Sequence, residues 1–226
     1  MFQAELAESQ QEQWELLRAY VEAYAAHRPV RSVAVVGNKP LQPDAERAAA
    51  IDASDLVLRV NSLKLDEPGD APTLGTACHV VLLSRRVRST RWVFQDYRRR
   101  AYLVPQMGFP LLRGVRLNPL FWPRDLGAMP LPNGVVMKRL ADRLDPEHRP
   151  GRLIPTSGMT LVYLAHEMFP GARLVATGFS FLSQTEQTAW AHHSGGSTQV
   201  NPYHDLAREG ALLGSWVEDG SVQFYE

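Results

Sequence analysis

The chain has 226 residues, 45% of them hydrophobic and 21% charged, which is the composition of a globular protein with one domain. Acidic and basic residues balance at 24 each, so no overall positive field favours nucleic acid as a partner. The single cysteine, Cys78, excludes an internal disulfide and is expected to be a buried thiol. No apolar run approaches the length of a membrane span and no signal peptide is recognised, so we expect a cytoplasmic protein.

Residues 3–27 predict an amphipathic helix, because Trp14, Leu17, Val21 and Tyr24 recur at helical spacing with Glu and Gln between them. We therefore separate residues 1–30, as an N-terminal helix, from a main domain over 31–226. The helix packs either on its own domain or on a second copy of the chain, which would make a homodimer.

Short apolar runs alternate with helical periodicity along the rest of the chain. Strands are predicted over residues 32–36, 55–60, 80–83, 101–104 and 173–177. Helices are predicted over 41–50, 134–144, 158–168 and 201–213, and a terminal hairpin over 216–225 around Asp219 and Gly220. This order predicts an α/β fold of the Rossmann-like kind, with a mostly parallel central sheet flanked by helices.

Two further segments have more than one interpretation. Residues 105–132 are rich in proline and aromatic residues and are predicted to form a long irregular loop, which at this length is often functional. A basic cluster is either a solvated face or a contact for an anionic acceptor, a lipid headgroup or a partner. It consists of Arg85, Arg86, Arg88, Arg91, Arg98, Arg99 and Arg100.

The turn after the first strand is a candidate ligand site. Gly37 allows a tight turn, Asn38 offers both a donor and an acceptor, and ligands of α/β sheets bind beyond the carboxyl ends of strands. Asn61 ends the next strand and either holds a ribose hydroxyl or ties down a turn. The dinucleotide fingerprint and the P-loop are both missing from this turn, which argues against NAD and ATP.

A second candidate phosphate site precedes the helix over 158–168. Thr156 and Ser157 are good N-cap residues, and Gly158 leaves the amides of the first turn uncovered for a phosphate or carboxylate. The alternative is an ordinary capped helix.

His204 is the candidate general base. Asn201 and Pro202 predict a helix start that places His204 in the first turn, where the positive helix end keeps the imidazole neutral. Glu209, five residues further on the same helix, would point about 140° away from His204, so we assign it a structural or indirect role.

Taken in order, these segments resemble the motifs of the eukaryotic-type sialyltransferase family and its bacterial relatives. The "large" motif is matched by Val36, Gly37, Asn38, Ile51, Asp52, Asp55, Val57, Arg59 and Asn61, with Gly75, Thr76 and His79 after it. The "small" motif is matched by Pro155, Thr156, Ser157, Gly158, Gly178 and Phe179, and the "very small" motif by His204 and Glu209. An upstream histidine motif has two candidates, His192 and His193.

The resemblance implies the sialyltransferase variant of the GT-A-type fold and a glycosyltransferase-like domain over 31–226. It implies transfer of an acidic sugar from its CMP ester with inversion, with no cofactor and no metal. His204 would take the acceptor proton, and His192 or His193 would donate to the leaving phosphate. Gly37, Asn38, Asn61, Thr156, Ser157 and Gly158 would bind the donor.

The resemblance implies CMP-sialic acid or CMP-Kdo as the donor, and we expect a saccharide or glycolipid acceptor that residues 105–132 would partly hold. The missing disulfide and membrane anchor suit a bacterial cytoplasmic enzyme, with a peripheral position at the inner membrane face as an alternative. Two other hypotheses remain: a nucleotide-binding module without activity, and a different Rossmann-like enzyme such as a methyltransferase.

Overall fold

The structure is a computed structural model that describes residues 2–84, 89–105, 122–147 and 152–226. The described residues form nine strands: β1 (Ser32–Val36), β2 (Leu56–Val60), β3 (Val80–Leu82), β4 (Ala101–Pro105), β5 (Met129–Leu131), β6 (Arg173–Thr177), β7 (Ala189–Ala191), β8 (Ser197–Gln199) and β9 (Val222–Tyr225). The helices are α1 (Phe2–Glu22), α2 (Ala45–Asp52), α3 (Lys138–Leu144), α4 (Ser157–Met168) and α5 (Leu206–Glu218). Single turns of 3₁₀ helix at Arg91–Val93 and Tyr97–Arg99 precede β4, and a π-helical turn at Asn133–Met137 runs into α3.

Seven strands form one sheet in the order β5-β4-β3-β2-β1-β6-β9, and every neighbouring pair is parallel. Strands β7 and β8 form a separate antiparallel hairpin. The predicted α/β fold with a mostly parallel central sheet is therefore confirmed.

The sheet is buried on both faces, and β1 shows how. Val33 and Val35 belong to the core cluster that contains side chains of α1, α3, α4 and α5. Ala34 and Val36 belong to another cluster, which includes Ile51 of α2. Side chains of a strand alternate between faces, so an unbroken apolar run is what a doubly covered parallel strand requires.

Three sequence predictions of local structure are wrong. Residues 201–204 form a turn rather than a helix start, and α5 begins at Leu206 behind Asp205, whose carboxylate accepts from the Arg208 amide. The terminal hairpin is absent from the described chain, because α5 continues to Glu218 and β9 pairs with β6 in parallel. The predicted loop over 105–132 also contains a strand near its end, β5.

Some predictions fall outside the described residues: those for Arg85, Arg86 and Arg88, and most of the proposed acceptor loop, since 106–121 is not described. No helix in the described ranges combines the length and hydropathy needed to cross a bilayer. Cys78 is buried, and burial raises the pKa of its thiol, as expected of a structural cysteine.

Candidate active site

Three loops meet at the carboxyl edge of the sheet, around the ring of Phe179. The Gly37 amide donates to the Thr177 carbonyl at 2.8 Å, and the Lys39 amide donates to the Gly178 carbonyl at 2.9 Å. A Cβ atom on Gly37 would lie 2.2 Å from the Gly178 oxygen and 2.7 Å from the Phe179 ring. The turn after β1 and the turn after β6 are thus packed backbone against backbone, which only glycine permits.

The start of α4 touches the same ring. A Cβ atom on Gly158 would lie 2.8 Å from a ring carbon of Phe179, a residue that is 4% exposed. One edge of the Phe179 ring therefore contacts both the Gly37 turn and the first turn of α4. The motif residues Gly37 and Gly158, about 120 residues apart in sequence, are brought together in this way.

The first turn of α4 has the predicted cap. The Thr156 hydroxyl accepts from the Met159 amide at 3.1 Å, and the Thr156 carbonyl accepts from the Thr160 amide at 2.9 Å. Within the described part of the chain, the amides of Ser157 and Gly158 have no hydrogen-bond acceptor. Two donors at the positive end of a 12-residue helix can bind an anion.

Asn38 and Asn61 are joined at the ends of β1 and β2. The Asn38 amide group donates to the Asn61 carbonyl at 2.5 Å. Asn61 is 4% exposed, and its own Nδ2 is buried without a partner among the described residues. A buried amide group that lacks an acceptor costs free energy of folding. An acceptor on a bound ligand would remove that cost, so Asn61 Nδ2 is a candidate donor at this edge of the sheet.

His193 lies against the same turn. Its amide donates to the Asn38 carbonyl at 2.6 Å, and its Nδ1 accepts from the Leu41 amide at 3.3 Å. An unprotonated Nδ1 leaves Nε2 as the protonated nitrogen, so His193 carries its ring donor at Nε2. Burial, followed by the charge of Lys64, lowers the pKa of His193.

His192 is engaged within the β7–β8 hairpin. Its Nε2 lies 2.8 Å from the Thr198 hydroxyl, and its Nδ1 is buried without a partner in the described residues. Burial lowers its pKa as well. Of the two predicted histidines, His193 is the one that contacts the Gly37–Asn38 turn.

His204 is fixed by a residue just before α4. Its Nδ1 lies 2.5 Å from the Ile154 carbonyl, and because a carbonyl only accepts, Nδ1 carries the proton. Nε2 is then left as an acceptor. Burial lowers the pKa of His204, and the hydrogen bond to Ile154 acts in the opposite direction. The sequence predicted that a helix N-terminus keeps this ring neutral, which is wrong because His204 precedes α5. Desolvation of the buried ring favours the neutral form instead.

Glu209 ties α5 to α4. It has no exposed surface, and it contacts the Thr156 amide at 2.7 Å and the Thr156 hydroxyl at 2.5 Å. Burial raises the pKa of Glu209 to about 8, against the opposing effect of the Thr156 hydrogen bonds. The sequence predicted a structural or indirect role without indicating this partner, which lies 53 residues away.

The histidine of the large motif and the arginines of the basic cluster make contacts within the fold. His79 Nδ1 accepts from the Val57 amide at 2.9 Å, as expected of a core histidine. In the basic cluster, Arg100 is 6% exposed and donates to the Trp92 carbonyl at 2.6 Å, and Arg98 pairs with Asp125 at 3.0 Å. Among the described residues, no three His, Cys, Asp or Glu side chains lie together as metal ligands would.

Solved structures share this fold. A mammalian sialyltransferase matches 87% of this chain and 69% of its own, with a TM-score of 0.60 and 16% identity. A mammalian sialyltransferase in complex with Gal-beta-1-3GalNAc-ortho-nitrophenol matches 96% of this chain and 85% of its own, with a TM-score of 0.59 and 15% identity. No protein-family model and no curated protein matches the sequence. At these identities the similarity shows the fold, which is a sialyltransferase-like α/β fold.

Proposed function

We propose that the protein is a metal-independent, inverting glycosyltransferase that moves sialic acid or Kdo from its CMP ester to a saccharide hydroxyl. The observation that carries the proposal is the His204 imidazole. Its Nδ1 bond to Ile154 leaves Nε2 as a proton acceptor. Ile154 lies two residues before the N-cap of α4, whose first two amides have no acceptor among the described residues. The shared fold and the motif resemblance support the same reaction class.

In the proposed reaction the acceptor oxygen attacks the anomeric carbon of the donor. The bond from that carbon to the phosphate oxygen breaks, its electron pair stays on the phosphate, and CMP leaves. The acceptor proton passes to Nε2 of His204, which must be neutral beforehand. Burial favours the neutral ring by lowering its pKa.

The departing phosphate needs hydrogen-bond donors rather than a base. We assign this role to the amides of Ser157 and Gly158 and to Nε2 of His193, since donors that point at developing charge stabilise a transition state. Asn38 and Asn61, joined at the neighbouring strand ends, are proposed to hold the nucleoside part of the donor. Retention of activity in excess EDTA is expected if these groups suffice without a metal.

The test is CMP release from CMP-sialic acid and from CMP-Kdo over a panel of saccharide acceptors. We expect release by the native protein with one of these donors. His204→Ala should abolish release while CMP still raises the melting temperature. His27→Ala is the matched control, because His27 pairs with Asp55 near the amino end of β1, at the opposite edge of the sheet.

Other outcomes separate the alternatives. CMP binding without release from either donor would identify a nucleotide-binding module without activity. Stabilisation by S-adenosylmethionine and not by CMP would identify a methyltransferase. Normal release by His204→Ala would refute the base assignment.

A further inference from the structure

Glu209 is a buried carboxyl group that the proposed reaction does not use. It has no exposed surface, and it contacts the amide and the hydroxyl of Thr156 at 2.7 and 2.5 Å. Within the described ranges it has no ion pair with a lysine, arginine or histidine. Removing a carboxylate from water without a cation beside it costs free energy, so this environment favours the protonated, neutral group.

The charged residues near Glu209 do not neutralise it. Asp205, at the N-cap of the same helix, adds a negative charge that acts in the same direction as burial. Arg208 pairs with Asp145 and Asp205 instead, and burial favours the neutral form of His204. The segments that pack here from α4 and from the chain after β6 bring uncharged residues: Thr156, and Phe181 and Thr185 against the neighbouring Gly210.

The carboxyl group of Glu209 lies beside the anion site at the start of α4. It accepts from the Thr156 amide, and the next two amides, those of Ser157 and Gly158, have no acceptor among the described residues. A phosphate on those amides would lie about 6 Å from the carboxyl group, from the lengths of one peptide unit and two hydrogen bonds. An ionised Glu209 would therefore repel the phosphate and would itself occupy the positive end of α4.

We propose that the donor phosphate binds at the start of α4 when Glu209 is protonated and is repelled when Glu209 is ionised. Glu209 is then a positioning residue of the phosphate site, and it couples donor binding to pH. The inference rests on the proposed function, which assigns the Ser157 and Gly158 amides to the phosphate. Departure of the sugar leaves one more negative charge on that phosphate, so a neutral Glu209 favours this step as well.

The test measures the affinity for CMP between pH 7 and pH 9 by isothermal titration calorimetry. Burial raises the pKa of Glu209 to about 8, so the free protein loses this proton within the range. The CMP phosphate, with a second pKa of about 6, is already ionised there. Burial also lowers the pKa values of His193 and His204 below the ordinary 6.5, so these rings do not titrate above pH 7.

We expect the Kd of the native protein for CMP to rise about tenfold from pH 7 to pH 9, because the proton that accompanies binding becomes scarce. At pH 8, binding should take up about half a proton. This uptake appears as a binding heat that depends on the ionisation enthalpy of the buffer, and it is measured on the native protein without any substitution.

Glu209→Gln keeps an acceptor for the Thr156 amide and a donor for the Thr156 hydroxyl but cannot ionise. Its Kd for CMP should lie within about twofold of the native value at pH 7, should not change up to pH 9, and should involve no proton uptake. Glu218→Gln is the matched control, since it changes an exposed carboxyl group of the same helix and should retain the native pH dependence. Cytidine is the control ligand, because it has no phosphate and its affinity should not change with pH.

The possible failures are distinct. A native affinity for CMP that is equal at pH 7 and pH 9, or an equal decline in Glu209→Gln, overturns the inference and leaves the proposed function intact. An equal decline for cytidine also overturns it, because the effect would not involve the phosphate. Absence of CMP release from both donors, with the pH dependence present, refutes the proposed reaction alone, and absence of CMP binding at both pH values overturns both.

Discussion

The two sides of the candidate site are built in different ways. On the donor side, the Gly37 turn and the Gly178 turn are joined by backbone hydrogen bonds and by a contact too close for any side chain. On the base side, a buried carboxyl group, Glu209, joins α5 to Thr156 at the start of α4. The contact on the donor side depends on the absence of a side chain, and the contact on the base side depends on the protonation of Glu209. A larger residue should therefore disturb the first contact, and a change of pH the second.

The largest effect is expected on the donor side, from Gly37→Ala. The new methyl group would meet the Gly178 oxygen at 2.2 Å, and a backbone atom cannot move aside as a side-chain end can. We expect a loss of about 3 kcal/mol in the free energy of unfolding, together with loss of CMP binding. Urea denaturation and a CMP titration measure the two effects.

Gly127→Ala is the matched control, because nothing lies within 4 Å of the position of its Cβ. If Gly37→Ala were as stable as Gly127→Ala and bound CMP normally, the close packing of the two turns would have no energetic role.

The next effect is expected on the base side, from Glu209. Its folded-state pKa of about 8 lies above the ordinary value of 4.5, so the folded protein binds the proton more tightly than the unfolded chain. The stability that this proton contributes is therefore complete below about pH 4.5 and is lost as the pH rises towards 8. Glu209→Gln imitates the protonated group, so its melting temperature should exceed that of the native protein by a margin that grows between pH 5 and pH 8.

Glu209→Ala provides the comparison for that experiment. It leaves the Thr156 amide and hydroxyl without their partner, and we expect a loss of about 2–3 kcal/mol at pH 6. A native protein whose stability difference from Glu209→Gln is constant with pH would show that Glu209 does not titrate in this range.

The histidines of the hairpin allow a finer test of the donor side. His193→Ala removes the imidazole that contacts the Gly37–Asn38 turn, and we expect kcat to fall about 100-fold, as for the loss of one donor to developing charge. His192→Ala should cost less, since its ring is occupied with Thr198 within the hairpin. Steady-state kinetics with the active donor measure both, and a larger loss in His192→Ala would reverse the assignment.

The smallest expected effect concerns the pH dependence of the native protein. His204 acts as a base only when neutral, and burial lowers its pKa below the ordinary value of 6.5. The acidic limb of kcat/KM should therefore lie below pH 6.5, with activity lost as the pH falls through it. An acidic limb at or above pH 6.5 would contradict a His204 pKa that burial lowers.

Sequence reasoning could predict the strands and turns that carry the candidate site, because these elements follow simple rules. Unbroken apolar runs predicted the buried strands, and the glycines and capping residues after β1 and before α4 predicted the turns at the carboxyl edge. Gly178 and Phe179 were recognised through a motif, but the role of the Phe179 ring between two turns depends on packing that has no local signal.

The wrong predictions have equally specific causes. Asn201 with Pro202 and Asp205 with Leu206 are both acceptable helix starts, and the local sequence does not choose between them. The chain uses Asn201 to close a turn and Asp205 to cap α5.

Similarly, Asp219 and Gly220 suit a hairpin or a helix end, and the choice follows from the unpaired edge that β6 presents to β9. The contact of Glu209 with Thr156 joins distant segments and has no local signal. The angle of about 140° between Glu209 and His204 was wrongly predicted, because His204 lies outside α5.

The position of β1 as an interior strand of the sheet has a consequence for folding. It pairs on one side with β2, some twenty residues away, and on the other with β6, which pairs Val33 with Leu174. Contacts of such long sequence separation slow folding, and until β6 arrives β1 has an exposed edge open to other chains. We therefore expect refolding on the millisecond-to-second scale, and fragments that end before Arg173 should aggregate.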